Sequence, residues 1–136
     1  MDKDRINYFK DELRHLRYIQ REIWRLNREI DGLQAEIEGV KSLTNPSGGS
    51  ASPADKQRRL RALRQKQREF IKEKDGFQAR ADKVNGVLES LSKEDKRMLI
   101  DIYTKNRVIA NVALDYYMSE DSLKRYINKI IRESEF

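Results

Sequence analysis

The stretch VALDYYMSEDSLKRYINKI, Val112 to Ile130, decides how this chain is read. Val112 and Ala113 close a short apolar helix pattern, and a turn follows. Ser119 then stands where a helix cap belongs, since its hydroxyl can accept from the free N–H groups of a first turn. Behind it Leu123, Tyr126, Ile127, Ile130 and Ile131 recur at helical spacing and are expected to face inward. Lys124, Arg125, Asn128, Lys129 and Arg132 fall on the outward face.

Just upstream, Ser92 opens another helix, with Asp95 at the capping-box position of SKED. Met98, Leu99, Ile102 and Tyr103 form its apolar face, and TKN, Thr104 to Asn106, ends it. RVIANVALDYY, Arg107 to Tyr117, carries Val108, Ile109, Val112, Ala113 and Tyr116 at helical spacing. Three short helices over residues 92–136 predict a small trihelical unit.

Residues 4–41 read as one long helix. Ile6, Phe9, Leu13, Leu16, Ile19, Ile23, Leu26, Ile30, Leu33, Ile37 and Val40 recur mostly in alternating steps of three and four, as along a coiled-coil seam. Two steps of three around Leu16 predict a local overwinding. Gly32 and Gly39 predict a frayed end, each costing about 1 kcal/mol relative to alanine. Ser42 to Ala54 is rich in Ser, Gly and Pro, lacks charge and reads as a flexible loop. Ser52, Pro53 and Asp55 read as cap, first helical residue and capping-box partner. A second seam runs through Leu60, Leu63, Gln67, Phe70, Lys74, Phe77, Ala81, Val84, Leu88 and Leu91, with Gln67 and Lys74 as polar members that fix register. The expected fold is all-α: a long N-terminal antiparallel helical hairpin of coiled-coil type over 1–91, with a flexible loop at 42–54, then a trihelical domain over 92–136.

Composition agrees with narrow apolar stripes. Of 136 residues, 38% are charged and 38% hydrophobic, against about 25% charged in an ordinary domain. There is no cysteine, so no disulfide framework or thiolate metal site is expected, which fits a reducing cytoplasm. No apolar run approaches the roughly 20 residues that span a bilayer, and the charged opening MDKDRINYFKDEL reads as no signal peptide. Residues 1–41 carry nine basic and nine acidic side chains, residues 42–91 eleven and six, residues 92–136 nine and eight. The excess of the net +6 therefore sits in the middle. Lys56, Arg58, Arg59, Arg61, Arg64, Lys66 and Arg68 form an acid-free run there, a candidate phosphate-contacting stripe or a solvated helix face.

The C-terminal pattern has the parts of a helix-turn-helix. Ala113 is small where a second helix crosses, Met118 anchors the turn, Ser119 caps the recognition helix, and Leu123 packs back. Arg125, Lys124 and Asn128 are then placed to read bases, and Lys129, Arg132 and Arg107 to contact phosphates. Ser119, Asp121 and Ser122 in the first turn complete the candidate DNA-binding set, with Glu120 and Asp121 suited to the helix dipole or to a cytosine amino group.

The run LSKEDKRMLIDIYTKNRVIANVALDYYMSEDSLKRYINKII resembles region 4 of bacterial sigma factors and its phage relatives, on LIDIY, the VA pair and MSEDSLKRYI. The whole chain resembles the phage-encoded ArpU/RinA-type family, which joins a charged coiled-coil hairpin to a sigma-region-4-like helix-turn-helix. Over residues 1–91 the resemblance rests on architecture and on YFKDELRHLRYIQREIWRL. It implies a transcription regulator of phage late, packaging or lysis genes in the cytoplasm of a bacterial host. Its partners would be double-stranded DNA, a second copy through the N-terminal helices (a dimer favoured) and host RNA polymerase. The turn departs from the pattern: Tyr117 stands where Gly is frequent, and a bulky residue is strained at positive φ, so a turn of another shape is expected.

Remaining residues carry blander readings. Trp24, among Tyr18, Arg17, Arg21 and Arg28, marks either a protein interface or packing against the second long helix. His15 reads as a surface residue. Glu12, Glu22, Glu29 and Glu36 lie on long-helix faces among Arg and Lys, where i,i+4 ion pairs such as Asp11–His15 or Arg25–Glu29 explain them better than acid–base catalysis. No nucleophile motif, phosphate loop or metal spacing appears, so neither an enzyme nor a cofactor or metal is expected. Two other readings stay open: a phage small terminase subunit, although its DNA-binding part usually comes first, and a helical adaptor for a protein such as RNA polymerase.

Overall fold

A computed structural model describes residues 2–42 and 53–134. Most of the expected loop and the Ser52 cap lie outside the described residues. Every element described is helical: α1 Asp2–Lys41, α2 Pro53–Ser90, α3 Lys93–Leu99, α4 Ile109–Asp115 and α5 Glu120–Glu133. None is long and apolar enough to cross a membrane. α1 runs unbroken through Leu16 and Ile19 and through both glycines to Lys41, so the expected overwinding and fraying do not interrupt it. Pro53 opens α2, where its fixed φ suits a helix and its missing N–H is not needed.

The described chain forms two compact units, Met1–Gln20 with Ala79–Phe136, and Arg21–Gln78. This division crosses both long helices and does not fall at Leu91. Its physical reason lies in the core of the first unit. Phe9, Leu13, Val84, Leu88, Leu99, Val112, Leu123, Ile127 and Ile131 are buried in one cluster, joined by Ile6, Leu16, Met98 and Tyr103. Three short helices bury too little apolar surface for a core of their own. The start of α1 and the end of α2 supply the rest.

Two polar contacts sit in this core. The Thr104 hydroxyl donates to the Leu13 carbonyl at 3.0 Å. Glu12 is only 6% exposed, and its ion-pair partner is Arg80 of α2, not a residue one turn away on α1: Arg80 Nε donates to its carboxylate at 3.2 Å. A buried carboxylate requires such a partner.

In Arg21–Gln78, Ile37, Val40 and Leu60 are buried together with Leu63 against them. Lys56 Nζ donates to the Lys41 carbonyl at 3.2 Å. Gln67 Nε2 donates to the Ile30 carbonyl at 3.3 Å and to Gln34 Oε1 at 3.0 Å. Arg25 lies 4.0 Å from Glu73. Partner numbers on α1 fall as those on α2 rise. Gln67 thus satisfies its amide at the seam, where a slip in register would leave it unpaired. The i,i+4 pairs expected on α1 are replaced by i,i+3 pairs: Arg14 with Asp11, and Arg25 with Glu22 at 2.8 Å. The Glu22 hydrogen bond also raises the Arg25 pKa.

The short helices are closed by defined caps. Ser92 Oγ accepts from Asp95 N at 3.1 Å, as SKED predicts. α3 runs into a π turn, Ile100–Thr104, where Lys105 N–H donates five residues back to Ile100 at 2.8 Å. The chain leaves it through Asn106 at φ 56°, a residue type that tolerates the left-handed region. α4 ends in a Schellman motif: Met118 N–H donates to the Ala113 carbonyl at 3.0 Å and Tyr117 N–H to Leu114 at 3.2 Å. Tyr117 occupies its left-handed position at φ 55°. The turn therefore keeps the positive φ that the sequence argued against, and Tyr117 bears the strain.

The Tyr117 side chain is 98% exposed, so its removal loses no packing. The left-handed region costs a residue with Cβ about 1–2 kcal/mol, and glycine returns about 0.5–1 kcal/mol as unfolded-state entropy. Tyr117→Gly is expected to stabilise the protein by about 0.5–1 kcal/mol by this difference, and Tyr117→Ile to destabilise it. Urea melts check both, and a less stable glycine variant would contradict the turn geometry.

Candidate nucleic-acid interface

α5 is the element that carries the sequence-predicted DNA-binding residues, and several contacts fix it. Ser119 Oγ accepts from Ser122 N at 3.1 Å and donates to Ser122 Oγ at 2.8 Å. Glu120 and Asp121 sit in the first turn, where the helix dipole favours them. Ala113 and Val112 are buried against Leu123 and Ile127 in the shared core, and Met118 packs onto it. Ala113 and Leu123 are thus buried, and Met118 partly buried, in one core.

Hydroxyl groups tie the helices to α3. Tyr126 OH donates to Asp95 Oδ1 at 2.8 Å, and Tyr116 OH donates to the Glu94 carbonyl at 3.4 Å. The Asp95 bond, followed by burial, holds the Tyr126 hydroxyl above its ordinary pKa. Tyr126 was expected to face inward. It stands instead at the rim, partly exposed, because its hydroxyl requires a polar partner.

The start of α1 supplies contacts that the sequence did not announce. The Arg5 guanidinium donates to the Ser134 carbonyl at 2.8 Å and to the Arg132 carbonyl at 2.5 Å. These carbonyls belong to a helix end that lacks intrahelical donors. Lys10 Nζ donates to Asn128 Oδ1 at 2.7 Å. Lys10 and Arg14 also approach the Tyr103 ring, at 5.7 and 5.2 Å from its centroid. Burial, then the neighbouring Arg14, holds the Lys10 ammonium below the usual lysine range. Lys3, Lys10, Asn128 and Arg132 line one groove. Arg5 and Lys10 stand more than a hundred positions from their partners in the chain, so no local pattern could have found them.

The predicted set divides accordingly. Arg125 and Lys129 are exposed and form no hydrogen bond or ion pair with the described residues. Arg132 is exposed on the same side, with Nε 4.0 Å from Asp2. Lys124 is exposed but lies 3.5 Å from Glu120, one turn back. Asp121 is exposed, and Ser119 and Ser122 are occupied as the cap. Asn128 is half-buried, its carboxamide oxygen held by Lys10, so it leaves the outward face.

Arg107, expected as a phosphate contact, is ion-paired within its own unit. Its guanidinium lies 3.2 Å from Asp101 and 2.9 Å from Asp115, and these carboxylates, Asp115 foremost, raise its pKa. Asp101 is buried on the π turn, with Lys105 as a second cation at 3.8 Å. Arg107 thus clamps the π turn to the end of α4.

The Lys56–Arg68 run belongs to the other compact unit, and it does not share one face. Lys56 reaches the Lys41 carbonyl, Arg58 lies 3.4 Å from Asp55, and Arg68 donates to Gln65 Oε1 at 2.7 Å. Lys66 shares a groove with Trp24, Glu29 and Glu36. Arg59, Arg61 and Arg64 have no ionic partner among the described residues. No protein-family model, curated protein or solved structure matches the chain.

Arg107→Ala is expected to lower the thermal midpoint, because it leaves Asp101 buried with a weaker cation. A thermal melt tests this, and an unchanged midpoint would show that the clamp on the π turn is not needed for stability.

Proposed function

We propose that this chain is a sequence-specific DNA-binding transcription regulator of phage or prophage genes, of the ArpU/RinA type. In this reading α1 and α2 form an antiparallel coiled-coil hairpin. α3, α4 and α5 form a sigma-region-4-like helix-turn-helix, with α5 as the recognition helix. The observation that carries it is the outward face of α5. Arg125, Lys129 and Arg132, at i, i+4 and i+7, are exposed there, and the first two form no hydrogen bond or ion pair among the described residues. Four buried residues, Leu123, Ile127, Ile130 and Ile131, anchor the opposite face.

Such a face suits the major groove of double-stranded DNA. Arg125 presents a fork that matches the guanine O6 and N7 acceptors, and Lys129 and Arg132 meet flanking phosphates. Asp121 favours a cytosine amino group at the helix start and repels a phosphate there. Asn128 is left out of the base-reading set, since Lys10 occupies it. The protein acts without a cofactor.

The long helices serve self-association or a protein partner such as RNA polymerase. Trp24 supports this: it is 62% exposed, and the Arg28 guanidinium lies 4.8 Å from its ring centroid. Exposed Trp and Arg are the residues that anchor interfaces. A dimer would present two α5 helices to half-sites about one helical turn apart.

Selection of duplexes from a random pool, followed by anisotropy titration, tests the function. The expected result is one enriched motif that binds at near-physiological salt. Arg125→Ala should cost about 1–3 kcal/mol on that motif and relax its preference at one base pair. Equal losses on selected and random duplexes would reduce Arg125 to a phosphate contact.

A further inference from the structure

We propose that α2 carries a second double-stranded-DNA contact, independent of base sequence, made by Arg61, Arg64, Arg68 and Lys72. These residues stand three, four and four apart, so they form one row along the helix. The row lies beside the seam of Leu60, Leu63 and Gln67, and extends past the acid-free run seen in the sequence. Arg61, Arg68 and Lys72 are exposed, and Arg64 is half-buried. None of the four forms an ion pair within the described residues, and Arg68 alone makes a side-chain hydrogen bond, to the neutral Gln65.

The carboxylates of this part of α2 form no ion pair with the row within the described residues. Glu73 lies 4.0 Å from Arg25. Glu69 borders the row three residues before Lys72, and its carboxylate accepts from Gln65 Nε2 at 3.3 Å, the side chain that also accepts from Arg68. Asp75 stands one turn beyond Lys72. The remaining cations are separately placed, Arg58 beside Asp55 and Lys66 in the groove with Glu29 and Glu36. The row is thus a line of like charges at i,i+4 spacing, which opposes helix formation until a polyanion neutralises it.

Duplex DNA fits it better than an acidic protein does. At 1.5 Å per residue the row rises about 16 Å from Arg61 to Lys72. One DNA strand offers a phosphate about every 3.4 Å of axis, so each cation reaches its own phosphate. Three of the four are guanidinium forks that match phosphate oxygens. A protein interface centres on a buried aromatic or aliphatic anchor, whereas Ile71 is the one large apolar residue exposed on α2. The contact does not depend on α5 reading a sequence.

The experiment uses full-length protein and a random-sequence duplex in anisotropy titrations across a salt series. Arg61→Gln, Arg64→Gln, Arg68→Gln and Lys72→Gln are combined, since glutamine keeps length and helix propensity. The combination is made in the wild type and in an Arg125→Ala/Lys129→Ala background. A control removes Arg58, Arg59 and Lys66 instead, and circular dichroism checks helicity. The expected result is that the log–log salt slope falls by about 3–4 in both backgrounds, with a much smaller change for the control. The α5 substitutions alone should abolish preference for a selected motif and leave the α2 contribution to the slope intact. A protein without sequence preference whose random-duplex slope still falls this way would sink the regulator reading and keep this one. An unchanged slope, absence of any duplex binding, or equal competition by charge-matched polyglutamate would overturn the contact. The last outcome would assign the row to an acidic polypeptide.

Discussion

Burial of Phe9 and Leu13 of α1, and of Val84 and Leu88 of α2, in one cluster with α3, α4 and α5 is the constraint on which the first unit depends. The last 45 residues have an inner face for each short helix but too little combined surface to leave water alone. Completing the core with the ends of the long helices fixes the position of α5. It also explains why Arg5 closes the end of α5 and Lys10 holds Asn128. The same packing that supports the proposed reading helix thus removes one predicted base contact from it.

Ionic pairing sorts the remaining cations by role. Arg107 is drawn between Asp101 and Asp115 and becomes a clamp on the π turn. Arg80 answers a carboxylate that burial would otherwise leave uncompensated. Arg125 and Lys129 have no such claims on them. A cation free of local carboxylates is the one that can neutralise a phosphate, because it has no ion pair to break. By this criterion Arg125, Lys129 and one row of α2 can meet a phosphate without breaking an ion pair among the described residues, whereas Arg107 and Arg80 cannot.

The turn between α4 and α5 shows how a local rule yields to its surroundings. Left-handed φ at a tyrosine is unfavourable by itself. The Schellman hydrogen bonds to Ala113 and Leu114, the packing of Met118 and the Ser119 cap all require it. Together they outweigh a cost of about 1–2 kcal/mol. The π turn has a related logic: Thr104, which ends it, reaches the Leu13 carbonyl inside the core.

The sequence by itself determined the helices, their caps at Ser92 and Ser119, the seam residues and the side of α5 that is buried. These follow from periodicities of three and four residues and from hydroxyls one turn before a helix, which are local properties. It also showed where basic charge is concentrated. Tertiary structure decided which polar groups are engaged: that Asn128 and Arg107 are occupied, that Glu12 is buried, and that Arg125 and Lys129 are not paired among the described residues. It also placed the boundary between compact units within the long helices, not at Leu91. Those outcomes depend on partners up to a hundred or more positions away, and no spacing along the chain encodes which distant side chain will arrive.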